Sequence, residues 1–343
     1  MSQEQDSSAN QPGPVVALCG GVGAARFLRG LVRAVPPEEV IAIVNTGDDR
    51  EFYGVHVAPD LDIVSYTLAE LIDTAVGYGL QGDTFHLVDA LAKLGHETWF
   101  RLGDQDFAYC LHRTLRLRAG RGLAEITDEL RRHHGLRLRI LPMTEDLCPT
   151  QVTLRDGRRM HFEDYMIREG APDTVSEVDL GAAAQAQPTP GVLEAIQSAR
   201  AILLCPSNPV VSIGPILAMP GVREALAVRR CPSVAISPIV GGAPIKGPAR
   251  QLLNGMGIEV SAQGVADHYR HHRPHPGTVS ASEARDPLAL IDAYVIDDRD
   301  REQAPAIEAL GISVAVTDSI MVDAEASERL ARVALEVIAR DRA

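Results

Sequence analysis

Val15 to Gly30, VVALCGGVGAARFLRG, is the stretch that decides the fold class. Val15 to Cys19 form a short continuous apolar run, the pattern of a strand buried on both faces in a parallel sheet. Gly20-Gly21-Val22-Gly23 interrupts the run, and Ala24 to Leu31 continues as a helix with Phe27, Leu28 and Leu31 on its apolar side. A strand, a glycine turn and a helix bring backbone N–H groups and the positive end of a helix dipole to one place, a natural phosphate cradle. The competing reading is a tight turn without a ligand, although several glycines in a row cost backbone entropy that such a turn does not require.

Working outward, Val40 to Val44 is a second apolar run about one βα unit later, and together the two runs predict a doubly wound sheet. The second run ends in Asn45-Thr46-Gly47-Asp48-Asp49, polar residues expected beside the first glycine turn at the carboxyl edge of the strands. Asp48 and Asp49 suit either metal ligation of a bound diphosphate or a turn. Pro59-Asp60-Leu61-Asp62 reads as a helix start, with Asp60 as N-cap of a helix over 63–71 and Asp62 directed into the site. Residues 76–110 are glycine-bearing and hold the single tryptophan, Trp99, next to Phe100 and Arg101. Such a loop suits a lid over a planar ligand, while ordinary packing suffices for each aromatic alone. Helices follow over 108–118 and 123–134, with a run of arginines read as a largely solvated face. Residues 136–187 change character, with short strands, a hairpin signal at Asp156-Gly157 and an alanine- and proline-bearing stretch.

Buried strands resume at 201–205, 232–239 and 288–296, with a further edge strand at 312–316 and a closing amphipathic helix over 324–338. The loops after the first two, Pro206-Ser207-Asn208-Pro209 and Gly241-Gly242-Ala243-Pro244-Ile245-Lys246-Gly247, offer amides, hydroxyls and a cation at the same sheet edge. The resulting expectation is an α/β protein with a doubly wound, mostly parallel, Rossmann-like sheet. Residues 14–140 and 195–343 form the nucleotide-binding core, 141–194 an inserted β-containing subdomain or lid, and 1–13 a disordered tail without the marks of a signal peptide.

Composition narrows the function. The 343 residues carry a net charge of −13 and are 45% hydrophobic, which excludes wholesale disorder and argues against nucleic-acid or membrane-surface partners. No apolar run approaches the roughly 18 residues of a membrane span. Five scattered cysteines with no C-x-x-C fit a reduced, cytoplasmic protein. His268, His271, His272 and His275 are interrupted by arginines and a proline and read as a solvated tract rather than a metal site. Dinucleotide oxidoreductase chemistry fails at two positions: Arg26 stands where the third fingerprint glycine belongs, and Asn45 where a ribose-binding acid belongs. A Walker A loop is absent as well. There is no serine elbow and no thiol nucleophile.

Taken jointly, Gly20 to Leu28, Val44 to Asp49, Pro59 to Asp62, Leu102-Gly103-Asp104-Gln105-Asp106, Pro206 to Leu217 and Ser237 to Gly241 resemble the 2-phospho-L-lactate transferases of coenzyme F420 biosynthesis, from about residue 15 to 325. The resemblance implies transfer of a phospholactyl or phosphoenolpyruvyl group from a guanosine-diphospho donor to the ribityl hydroxyl of 7,8-didemethyl-8-hydroxy-5-deazariboflavin, with GMP released and magnesium required. By the same resemblance, Asp62 contacts the ribityl end and orients or deprotonates its hydroxyl, and Arg101 contacts the deazaflavin. The resemblance also implies that Gly20, Gly21, Gly23, Ser207 and Asn208 take the nucleotide phosphates and that Asp48, Asp49 and Asp62 ligate Mg²⁺; a homodimer is the default expectation for a cytoplasmic enzyme. Two other readings stay open: a non-catalytic regulatory protein of the same fold that binds a nucleotide sugar, and a nucleotide-dependent oxidoreductase.

Overall fold

A computed structural model describes residues 13–270 and 290–340. At its centre lies a parallel sheet of β1 (Val15–Cys19), β2 (Val40–Val44), β3 (Arg139–Pro142), β4 (Ala201–Leu204), β5 (Ser233–Ile236), β6 (Ala293–Asp297) and β7 (Ser313–Thr317). Its spatial order is β7-β6-β5-β4-β1-β2-β3. The chain therefore builds outward from β1 in one direction, returns, and builds outward in the other. The switch point lies between β1 and β4, where an open α/β sheet forms its ligand crevice.

The continuous apolar runs are buried on both sides, as a sheet covered on two faces demands. Val15, Ala17 and Cys19 face one hydrophobic cluster, while Val16 and Leu18 face another. The helix α1 (Gly21–Ala34) starts two residues after β1 and buries Ala24, Ala25, Phe27, Leu28 and Leu31. It packs on α2 (Pro59–Leu68) and on the last described helix, Ala324–Arg340. Gly23 is a point of close approach to the end of β4: a Cβ there would lie 2.2 Å from the Pro206 carbonyl oxygen. The close contact between helix and neighbouring strand end, expected to be lost with Arg26 in the third-glycine position, is made one turn earlier.

Several expected boundaries move. The loop-rich reading of 76–110 is incomplete, because it contains α3 (His86–Lys93) and the start of α4 (Asp104–Arg118), which precedes α5 (Leu123–His133). Strand β3 pairs with β2 as the sheet's edge and so spans the expected 140/141 boundary. Beyond it, Gln151–Leu154, Arg159–His161 and Val175–Asp179 form a three-stranded antiparallel sheet. Its Val152, Leu154, Val175 and Val178 share one cluster with Val16, Leu18 and Ile43, so this segment covers a face of the main sheet instead of keeping a core of its own. The strand expected over 232–239 ends at Ile236, and Pro238 precedes a two-stranded hairpin, Ile239–Val240 with Ala243–Pro244. The five cysteines are free and buried. Among the described residues no helix is long and apolar enough to cross a membrane. His271, His272 and His275 and residues 1–12 lie outside the described residues.

Candidate active site

A cleft of about 930 Å³ opens at the β1/β4 switch point. It is lined by the turn after β1, the loops after β4 and β5, the first turns of α2 and α4, the 73–85 loop, and Phe162, Glu163, Met166 and Ile167 of the antiparallel segment.

The scaffold of the cleft is a small polar knot. Asp60 does not cap its own helix, because α2 begins with Pro59 at its first position and includes Asp60. Its carboxylate instead accepts from the Gly21 N–H at 2.7 Å and from Asn45 Nδ2 at 2.8 Å. Asn45 Nδ2 also reaches the Val211 carbonyl at 3.3 Å, and its Oδ1 accepts from Gly47 N at 2.9 Å. Asn45, which breaks the dinucleotide fingerprint, thus joins the ends of β1 and β2, the start of α2 and the loop after β4. Gly20, Gly21 and Gly23 all line the cleft, but the Gly21 amide is spent on Asp60. Ser207 Oγ donates to the Gly20 carbonyl at 2.9 Å. Asn208 Oδ1 accepts from the Val210 and Val211 amides, so its Nδ2 is the end left for a ligand.

The floor is acidic. Asp48, Asp60, Asp62, Asp106 and Glu163 line the cleft. Asp49 is not among the lining residues; its Oδ2 lies 3.1 Å from His56 Nε2, and its Oδ1 is buried without a hydrogen-bond partner. Asp62 is held by Arg113 of α4, a guanidinium 2% exposed that also donates to the His56 carbonyl. This ion pair was hidden in the expected solvated arginine face. Helical spacing could have exposed it, since Asp106, Cys110 and Arg113 at i, i+4 and i+7 share one side of α4. Burial pushes the Asp60 carboxyl up to about 6. Burial and the nearby Asp62 charge raise Asp106 to about 7. Burial, then the Asp60 charge, raise Glu163 to about 8, and burial raises Asp48 as well. Asp48 Oδ1, Asp62 Oδ2 and Glu163 Oε2 are buried without a hydrogen-bond partner. Hard oxygens left unpaired in one cleft are the donor set that suits Mg²⁺. The carboxylates of Asp62 and Asp106 also approach each other and the Cys110 thiol within 4.8 Å. No sequence signal pointed to Glu163, which the antiparallel segment brings in from far along the chain.

Aromatic rings also line the cleft. Phe100 stacks on Phe52 with ring centroids 3.8 Å apart, and Trp99 meets Phe52 edge-on at 5.3 Å. Both rings pack as ordinary side chains and also line the cleft. Arg101 pairs with Asp89 at 2.7 Å and covers the Phe85 ring at 4.6 Å. The Leu-Gly-Asp-Gln-Asp motif is a double helix start. Asp83 accepts from the Gln105 and Asp106 amides that open α4. Asp104 in turn accepts from the His86 and Leu87 amides that open α3. Only Asp106, tied to Tyr66 Oη at 2.9 Å, is left facing the floor.

Residues 15–341 match the family described as 2-phospho-L-lactate transferase CofD. The chain is 42% identical over 327 residues to the phosphoenolpyruvate transferase of Kitasatospora aureofaciens, covering 94% of this chain and 96% of that one. It is 36% identical over 323 residues to the 2-phospho-L-lactate transferase of Methanosarcina mazei, covering 94% and 99%. Its fold also matches a UPF0052-family protein of Bacillus halodurans with a TM-score of 0.64, at 17% identity over 95% of this chain and 99% of the other. With its glycine turn, paired acids and Leu-Gly-Asp loop gathered on one cleft, the chain belongs to the 2-phospho-L-lactate transferase CofD family and is a transferase.

Proposed function

We propose that this enzyme transfers a phosphoenolpyruvyl or phospholactyl group from a guanosine-diphospho donor to the terminal ribityl hydroxyl of 7,8-didemethyl-8-hydroxy-5-deazariboflavin, in coenzyme F420 biosynthesis. The observation that carries the reading is one cleft lined by aromatic rings, a glycine turn and buried, unpartnered carboxylate oxygens. The rings suit a planar deazaflavin and the glycine turn a nucleotide phosphate. Relatives named phosphoenolpyruvate transferase, at 42% identity against 36% for a 2-phospho-L-lactate transferase, support phosphoenolpyruvyl as the first acyl group to try.

The acceptor hydroxyl attacks the phosphorus that bears the acyl group. The new P–O bond forms as the bond to GMP breaks, and GMP leaves with the electron pair. Such a reaction needs alignment and charge neutralisation but no covalent nucleophile. Asp62, held in place by Arg113, accepts the hydroxyl's hydrogen bond, sets its direction and takes its proton as the new P–O bond forms. Asn208 Nδ2 and the free first-turn amides of α1 hold the nucleotide phosphates. Asp48 and Asp62 would hold Mg²⁺, with Asp49 steadied by His56; the ion supplies neutralisation of the diphosphate charge. Arg101 borders the acceptor end.

The test is direct. Purified protein is incubated with the deazaflavin alcohol, Mg²⁺ and each of three donors carrying phosphoenolpyruvyl, phospholactyl or phosphoglyceryl groups, and product is followed by mass. A phosphodiester product with GMP release is expected. No product with any donor, together with tight nucleotide-sugar binding, would favour the regulatory reading instead. Mass in solution tests the homodimer that we include in the proposal for a cytoplasmic enzyme.

A further inference from the structure

Cations are scarce in the cleft. Among the described residues that line it, seven are carboxylates (Asp48, Asp60, Asp62, Asp73, Asp83, Asp106 and Glu163) and three are cations (Arg26, Arg101 and Lys246). A donor bearing a diphosphate and a carboxylate is strongly anionic and binds best where positive charge is gathered. Arg101 is committed to Asp89 and Phe85.

The other two cations lie far apart in sequence yet meet at the glycine turn. Arg26 projects from the second turn of α1 and has no ion-pair partner among the described residues. Lys246 comes from the glycine-bearing loop after the 239–244 hairpin. It is anchored rather than freely solvated. Its Nζ donates to the Val76 carbonyl and lies 5.7 Å from the centroid of the Tyr78 ring. Gly77 lies against both partners of this junction: a Cβ added there would sit 3.0 Å from Lys246 Nζ and 3.2 Å from Val22 Cγ1. The ammonium is therefore beside the turn whose Val22 and Gly23 amides have no intrahelical partner. Partial burial and the neighbouring Arg26 charge both lower the Lys246 pKa. Two like charges held together at a ligand cleft repel each other until an anion sits with them.

We propose that Arg26 and Lys246 together bind an oxyanion of the donor at the glycine turn. The proposal rests on the donor class named under Proposed function. The oxyanion is either the diphosphate, present also in GDP, or the carboxylate of the acyl group, absent from GDP.

The experiment compares wild type with Arg26→Ala, Lys246→Ala and Lys246→Arg. It measures GDP affinity by calorimetry, donor KM and kcat by turnover, deazaflavin affinity by fluorescence, and the melting temperature as a check on folding. Each alanine variant is expected to weaken donor binding by about tenfold or more, equivalent to about 1.4 kcal/mol, while deazaflavin affinity and melting temperature hold. Lys246→Arg is expected to recover part of the loss, because it restores charge without the same reach. An equal loss for GDP assigns the pair to the diphosphate; a loss confined to the complete donor assigns it to the carboxylate. GDP and donor affinities both unchanged in the alanine variants, or a parallel fall in deazaflavin affinity, overturn the proposal. A wild type that binds GDP but never turns over defeats the transferase reading while the GDP arm still decides the role of the two cations. A wild type that binds neither GDP nor donor overturns both.

Discussion

Asp62 and Arg113 form the ion pair on which the acidic floor depends. Each is buried, so removing either leaves the other as an unpaired charge in a poorly solvated place. Arg113→Leu should cost about 3–5 kcal/mol, read as a lower denaturation midpoint. Asp62→Asn should lower turnover by at least about tenfold if Asp62 directs the hydroxyl. Unchanged turnover in that variant would reduce Asp62 to a partner for Arg113. Combining the two substitutions should recover part of the stability lost by Arg113→Leu alone, because no carboxylate is then stranded. Asp62 stood out in the sequence because an acid two residues beyond another cannot share its helix face. Asp60 departs from the N-cap role its position suggests for a physical reason: proline already occupies the first helical position, which leaves the Asp60 carboxylate free to bond Gly21 and Asn45 across the switch point.

At the scale of elements, the Leu-Gly-Asp-Gln-Asp motif shows how a binding loop is stiffened. Asp83 and Asp104 cross over, each satisfying the orphan amides of the other segment's helix. Asp83→Ala should cost about 1 kcal/mol, as other lost N-caps do. It should also loosen the first turn of α4, which carries Asp106. Steady-state kinetics should then show a higher KM for the acceptor with donor KM unchanged; equal rises in both would argue against the placement of the acceptor at this loop. Gly23 is the corresponding point on the donor side. Gly23→Ala forces a methyl against the Pro206 carbonyl and should lower the melting temperature measurably, with a cost of about 1–3 kcal/mol expected for overpacking. Strand runs and the helices α1, α2, α4, α5 and Ala324–Arg340 could be read from apolar spacing, whereas α3 could not, because its start is capped by a residue eighteen positions later in the chain.

At the scale of the whole molecule, the concentration of acid in one cleft couples stability to pH and to metal. Asp106 and Glu163, at about 7 and about 8, keep protons that the unfolded chain has already released. Native protein therefore binds more protons than unfolded protein across this range, and stability falls as pH rises through it. His161, depressed to about 4 by burial and the Arg50 charge, contributes in the opposite direction, but only below its ordinary value of about 6.5. The clean window is thus from about pH 6.5 to about pH 8. In chelator the melting temperature should fall across that window, and added Mg²⁺ should raise it more at the upper end, where the carboxylates are ionised. A melting temperature that climbs with pH in chelator, or a Mg²⁺ effect greater at the lower end, would contradict this account of the floor.

The sequence by itself determined the buried parallel strands and the glycine turn after the first of them, because apolar runs and clustered glycines are local signals, and it pointed to the family through the joint resemblance of the motifs from Gly20 to Gly241. Tertiary structure alone decided what those pieces do together. It spent the Gly21 amide on Asp60, drew Arg113 inward to Asp62, and carried Glu163 into the cleft from a distant segment. Side-chain partnerships across a doubly wound sheet depend on strand order. Strand order places residues far apart in the chain at one edge, and no local pattern records it.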